Sequence, residues 1–121
     1  MRAMGTFSVA VQVGNLHEER FEFVEALVDT GASHSFFPAS LLRELGIEPV
    51  ERLPFRLADD SLQDYDVGIA RIRLDGRERY ESVGFGANGT QAILGAMTLE
   101  DFSLAVDPVG RRLIPVPGLL F

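Results

Sequence analysis

At 121 residues with 46% apolar side chains, the chain has the size of one domain and is too apolar for a disordered segment. A formal charge of −7 argues against nucleic acid and anionic membrane as partners, because both select a positive patch. The absence of cysteine excludes disulfides, thiolate metal sites, iron–sulfur clusters and a catalytic thiol. The opening "MRAMGTFSV" lacks the apolar core of a secretory leader, and no uncharged apolar run approaches the ~20 residues that span a bilayer. The expectation is a soluble, cytoplasmic, single domain over residues 1–121.

Taken in chain order, the first element is "FSVAVQV", where Phe7, Val9, Val11 and Val13 alternate with small or polar residues at the period of a half-buried strand. "GNLHEER" reads as a polar turn, and "FEFVEALV" (Phe21 to Val28) returns as a second strand that delivers Asp29 at its end. "PASLLRELG" predicts a short helix: Pro38 suits the first helical position, Leu41, Leu42 and Leu45 share a face, and Gly46 suits the stop. "LPFRLADDSLQDYDVGIARIRL" predicts two strands around a turn at Asp59, Asp60 and Ser61. Asp75-Gly76 is a two-residue hairpin signal, with "RERYESVGF" as the return strand. "AILGAMTLEDF" holds a short apolar strand and a helical turn, and "SLAVDPVGRRLIPV" closes with a hairpin around Asp107 to Gly110. The fold class read from this pattern is all-β, mainly antiparallel, with two short helices.

Arg71, Arg73, Arg77 and Arg79 are interleaved with Asp75, Glu78 and Glu81, which predicts a solvated face of mixed sign. "GFGANG" fits a dinucleotide-binding glycine pattern, but the surrounding hairpins are antiparallel and deny it the parallel unit it needs. His17 and His34 have no metal-ligand spacing, and Asp59-Asp60 lacks that of a calcium loop; no metal or cofactor is expected. Phe36 and Phe37 are expected in the core or lining a cleft. The apolar tail "GLLF" reads as a strand for a second copy of the chain.

The stretch with chemistry in it is "ALVDTGAS". Asp, Thr and Gly are ordinary turn residues, so the triplet alone has a purely structural reading. Against that, Ala26, Leu27 and Val28 carry the carboxylate to the end of an apolar strand, where a charge is costly unless used or paired. The residues that follow are small, and a second apolar-apolar-Gly element, "AILGA", recurs downstream before a helical turn. "LVDTGAS", "AILGA" and the strand order between them, from roughly Val9 to Val106, resemble the retropepsin-like aspartic proteases.

That resemblance implies a single-lobed acid-protease β-barrel with one or two short helices. It implies that Asp29 is the catalytic carboxylate, that the Thr30 hydroxyl braces the loop of a partner subunit, and that the Gly31 carbonyl faces substrate backbone. Ala32 is then the small residue behind the loop; Ile93, Leu94 and Gly95 form the hydrophobic-glycine element beneath it. Ala58, Asp59, Asp60 and Ser61 fall where the family places its flap. With Ala32, Ser33 and Ile93, they are the expected substrate-contacting positions, and Leu27 and Val28 are expected near the cleft. In the retroviral branch the position of Ser33 is acidic and is gripped by an arginine after the downstream glycine; here Ser33 and Ala96 stand in those places.

Two carboxyls held ~3 Å apart cannot both ionise, so they share one proton; one activates water and the other polarises the peptide carbonyl. The chain carries one D-T-G, and Asp107 precedes Pro108, so activity calls for an isologous homodimer. The expectation is a homodimeric aspartic endopeptidase acting on extended peptides, with a dimeric binding module of weak turnover as the alternative.

Overall fold

The computed structural model describes residues 6–118. Strand β1 (Ser8–Gly14) runs antiparallel to β2 (Phe21–Val28), with Ser8 opposite Leu27 and Gly14 opposite Phe21. Then follow β3 (Ser35–Pro38), helix α1 (Ala39–Glu44), β4 (Glu51–Arg56), β5 (Leu62–Leu74) and β6 (Arg77–Gly86). The chain continues through β7 (Ala92–Leu94), helix α2 (Ala96–Asp101), β8 (Leu104–Asp107) and β9 (Arg112–Pro115).

The main sheet has the order β1-β2-β7-β3-β6-β5-β4, and β1 also pairs with β5. That extra pairing closes six strands into a barrel and leaves β4 attached only to the long strand β5. β5 serves both tasks: Leu62 to Val67 pair with β4 in a projecting hairpin, while Val67 to Leu74 pair with β6 in the barrel wall. The barrel encloses Val11, Val13, Phe37, Leu42, Ile72, Val83, Leu94 and Phe102, all essentially buried. β8 and β9 form a separate two-stranded sheet, with Leu113 turned onto the core.

Most predicted elements are present. Asp75 and Gly76 both take positive φ, 56° and 74°, as a two-residue turn matching strand twist requires. Two local expectations change. The strand β3 went unread because four residues hold too little periodicity, and because its pairing with β6 is parallel and therefore non-local. Pro38 is the last residue of that strand and not the first of the helix: its φ of −55° and ψ of 134° are extended, so helical geometry starts at Ala39.

The expectation of a solvated mixed-charge face fails at two positions. Arg71 is 7% exposed and Glu81 is 4% exposed. The Arg71 Nε donates to the Asn15 carbonyl at 2.7 Å, and its guanidinium also bonds the Glu18 carbonyl and reaches Glu19 and Glu78 at 3.2 and 3.4 Å. The same group lies 4.7 Å from the Phe21 ring centroid. Arg71 therefore ties the β1–β2 turn to the barrel wall, satisfying carbonyls that the turn leaves without strand partners. Arg71→Met keeps the stem's packing but orphans those carbonyls, and should lower unfolding free energy by about 2 kcal/mol. A denaturant melt checks this; an unchanged midpoint would show that water replaces the guanidinium.

Candidate active site

Parallel pairing of β2 with β7 sets Ala26, Leu27 and Val28 beside Ala92, Ile93 and Leu94. The two sequence elements "ALVDTG" and "AILG" thus lie side by side at one end of the barrel. Strand alternation divides them: Ala26, Val28, Ala92 and Leu94 point into the core, while the half-buried Ile93 faces outward beside Leu27. Val28, expected near the cleft, belongs to the core for that reason.

Asp29 leaves the end of β2 half-exposed. Its N–H donates to the Leu94 carbonyl at 3.0 Å, its carbonyl accepts from Ala32 N at 3.1 Å, and its Oδ1 accepts from Gly31 N at 3.0 Å. An Asx-type turn therefore fixes the carboxyl relative to its own backbone. Thr30, Gly31 and Ser33 are exposed and Ala32 is half-buried. Exposure at Thr30 and Gly31 leaves a hydroxyl and a bare backbone available at the mouth of the barrel.

Helix α2 supports this loop from below. Ala96 N donates to the Ala32 carbonyl at 2.8 Å and Met97 N to the Ser33 carbonyl at 3.0 Å. The first N–H groups of a helix lack partners within it, so the loop takes them up. Gly95 N donates to Ser35 Oγ at 3.0 Å, and Ser35 Oγ lies 2.6 Å from Thr98 Oγ1. Ser33 and Ala96 lack an acid–arginine pair, and the backbone of residues 32, 33, 96 and 97 makes the connection instead.

Above the loop stands the β4–β5 hairpin. Its turn is held by Leu57 N to the Ser61 carbonyl at 2.8 Å and Asp60 N to the Leu57 carbonyl at 2.9 Å. Asp59 Oδ1 accepts from both the hydroxyl and the N–H of Ser61; the hydroxyl bond chiefly holds its carboxyl below the ordinary range. Ala58, Asp59, Asp60 and Ser61 are all exposed, and Asp60 has a φ of 69°. The tip is thus charged and turn-locked. Rings link this hairpin to the loop: Phe55 of β4 meets His34 edge-on at 5.1 Å and Phe36 of β3 at 5.0 Å, and Tyr65 of β5 lies 5.2 Å from Phe36. The Phe36 ring packs against Gly84 in the space that a Cβ there would take. Phe37 is core, so the pair of phenylalanines is split between barrel interior and cleft side.

The structure therefore gathers Asp29 to Ser33 with Ile93 at one end of the barrel, and the β4–β5 hairpin meets the next residues, His34 and Phe36, through rings. Phe55 and Tyr65 were missed as contributors; the alternation of Leu53 and Phe55 along β4 was the signal for the first. Among the described residues no group of three or more His, Asp or Glu side chains converges as a metal ion would need.

Solved structures of the same architecture include the solution structure of the simian foamy virus (mac) protease, with a TM-score of 0.58 and 14% identity over 79% of this chain and 94% of that one. The EIAV protease complexed with the inhibitor HBY-793 aligns with a TM-score of 0.55 and 17% identity, covering 78% and 86% of the two chains. A retropepsin-like aspartic protease from Rickettsia conorii aligns with a TM-score of 0.51 and 17% identity, covering 88% and 91%. No curated protein sequence matches the chain. The sequence matches the family described as "gag-polyprotein putative aspartyl protease" over residues 8–101, a span holding Asp29, the β4–β5 hairpin and α2. With that match and the retropepsin-like barrel, this chain belongs to the gag-polyprotein aspartyl protease family.

Proposed function

We propose that the chain is an aspartic endopeptidase that works as a homodimer, hydrolysing extended peptides between two Asp29 carboxyls. The observation that carries the reading is the placing of Asp29: one fixed carboxyl at a barrel mouth, its loop braced by α2 and its approach flanked by a hairpin. The sequence carries a single D-T-G, and a two-fold axis through the mouth brings a second Asp29 to the first. Across that axis the paired acids hold one proton between them. The ionised carboxylate takes a proton from water as it attacks the peptide carbonyl. The protonated one donates to the carbonyl oxygen and then, through the pair, a proton passes to the leaving nitrogen. No bond to the protein forms at any step.

Substrate must lie extended to pass beneath the hairpin, whose edge strand β4 and the exposed backbone of Gly31 offer ladder-like hydrogen bonds. The half-buried Ile93 and the His34–Phe36–Phe55 rings give the side-chain subsites an apolar character over the buried Leu27, while Ala32, Ser33 and the Ala58 to Ser61 turn border the backbone. The test is cleavage of a mixed peptide library at acidic and neutral pH, with and without pepstatin. Pepstatin-sensitive turnover supports the proposal. Binding without turnover replaces it with a dimeric binding module.

The dimer contact fits the β8–β9 hairpin, which no barrel strand pairs with among the described residues. Ile114 is half-buried and Val116 is more open, so both have apolar surface left after Leu113 is spent on the core. The tail expected to supply a dimer strand ends in residues 119–121, outside the described residues. A chain ending after Asp107 should elute as a monomer in gel filtration and lose turnover; a truncated dimer would place the contact elsewhere.

A further inference from the structure

We infer that Glu81 is a proton-dependent positioning residue for the Asp29 loop: protonated, it lets α2 hold the loop, and its ionisation loosens that hold. Glu81 lies on β6 with its side chain 4% exposed and its Oε2 enclosed without a hydrogen-bond partner. β5 sets Ala70 opposite it. The charged groups acting on it are Asp101 from α2 and Arg79 from its own strand, with the Thr98 hydroxyl beside them. Arg79 is partly engaged elsewhere: its Nε donates to the Asp101 carbonyl at 3.3 Å, and its guanidinium lies over the Phe102 ring.

The buried Glu81 carboxyl is in hydrogen-bonding reach of the exposed Asp101 carboxyl, and a proton on Glu81 removes the repulsion between them. Burial, and then Asp101, push the Glu81 carboxyl up from 4.5 to about 7, against weaker opposite pulls from Thr98 and Arg79. The partners are not incidental. Thr98 and Asp101 sit on α2, and Thr98 continues through Ser35 Oγ to the N–H of Gly95, the residue just before α2. Ala96 and Met97 then hold the Ala32 and Ser33 carbonyls. A carboxylate at Glu81 repels Asp101 and strands Oε2 in the interior, and the strain is relieved by moving α2, to which the loop is bonded. A raised acid favours the folded, braced form below its ordinary value of 4.5 and loses that contribution as pH climbs through about 7.

The activity readout rests on the peptidase reading, so the experiment pairs it with one that does not. The 121-residue chain and its variant Glu81→Gln, which keeps the shape but cannot ionise, are compared across pH by amide exchange at Ala96 and Met97 and by kcat/KM for a library-derived peptide. After correction for base-catalysed exchange, wild-type protection at these two amides should fall about tenfold between about pH 6 and about pH 8. In Glu81→Gln it should stay flat, and the alkaline limb of kcat/KM should move up by about one pH unit or more. Identical pH dependence in the two proteins overturns the inference. Carbon-13 titration of Glu81 in the wild type needs no variant, and a midpoint below about pH 5 also overturns it. Should neither protein cleave peptide, the amides still decide the role of Glu81, and only the peptidase reading falls.

Discussion

Asp29→Asn should reduce kcat/KM for peptide cleavage by about 10⁴-fold while leaving the fold and the dimer in place. The fold survives because asparagine keeps the shape of the side chain, and its amide oxygen can accept the bond that Asp29 Oδ1 takes from Gly31 N at 3.0 Å. Chemistry does not survive, because an amide neither takes a proton from water nor gives one to a carbonyl oxygen. In a symmetric dimer the substitution strikes both halves of the pair. A sharper form links two copies in tandem and changes one Asp29 only. If a single proton is shared, one asparagine should silence the molecule nearly as fully as two; half-activity would mean that each subunit works alone. Circular dichroism and gel filtration supply the controls, and cleavage at the wild-type rate would remove Asp29 from the mechanism.

The parts of this site that could be read from the sequence are those that depend on local pattern. Alternation in "FSVAVQV" and "FEFVEALV" gave the first hairpin, and a strand ending in Asp29, Thr30 and Gly31 marked where chemistry could sit. The Asp59 to Ser61 turn placed the β4–β5 hairpin, because turn residues between two alternating runs are a local signal. What stayed hidden depends on which strands meet. Ser35 to Pro38 form a strand only because β6 and β7 lie on either side of it, so its four residues carried no signal alone. Arg71 and Glu81 looked like surface charges in an alternating-sign run, since composition does not say which face of a strand a barrel wall turns inward. Burial of each was decided by long-range partners: the carbonyls of Asn15 and Glu18 for one, the helix α2 for the other.

These long-range partners also explain why the missing acid–arginine pair does not leave the loop unsupported. An acidic side chain at Ser33 and an arginine at Ala96 would join loop to helix through side chains. Here the same two segments are joined through main chain, by Ala96 N to the Ala32 carbonyl and Met97 N to the Ser33 carbonyl. Backbone bonds of this kind tolerate side-chain change but demand that loop and helix approach closely. Close approach moves the constraint from residue charge to residue size, and the position that bears it is Gly95.

Gly95→Ala should therefore destabilise the protein by about 3 kcal/mol and lower kcat/KM of the remaining folded molecules by about 100-fold. Backbone strain is not the reason: Gly95 has a φ of −93° and a ψ of 176°, which alanine adopts without difficulty. Space is the reason. A Cβ at this position would fall inside the His34 carbonyl, 2.6 Å from its carbon, and 3.0 Å from the Ala32 oxygen. Both obstacles are main chain, so no rotamer change makes room and the loop must shift bodily. Shifting it stretches the bonds from Ala96 and Met97 to residues 32 and 33, and it breaks the Gly95 N–H bond to Ser35 Oγ that links the loop to Thr98. Asp29, whose N–H hangs on the Leu94 carbonyl next door, moves with it. A urea melt should show the midpoint lower by about 1 M or more. The adjacent Ala96→Gly removes only a methyl from a half-buried site and should fall within about 1 kcal/mol of wild type. If the two variants melt together, loop and helix are not in the close contact that positions Asp29.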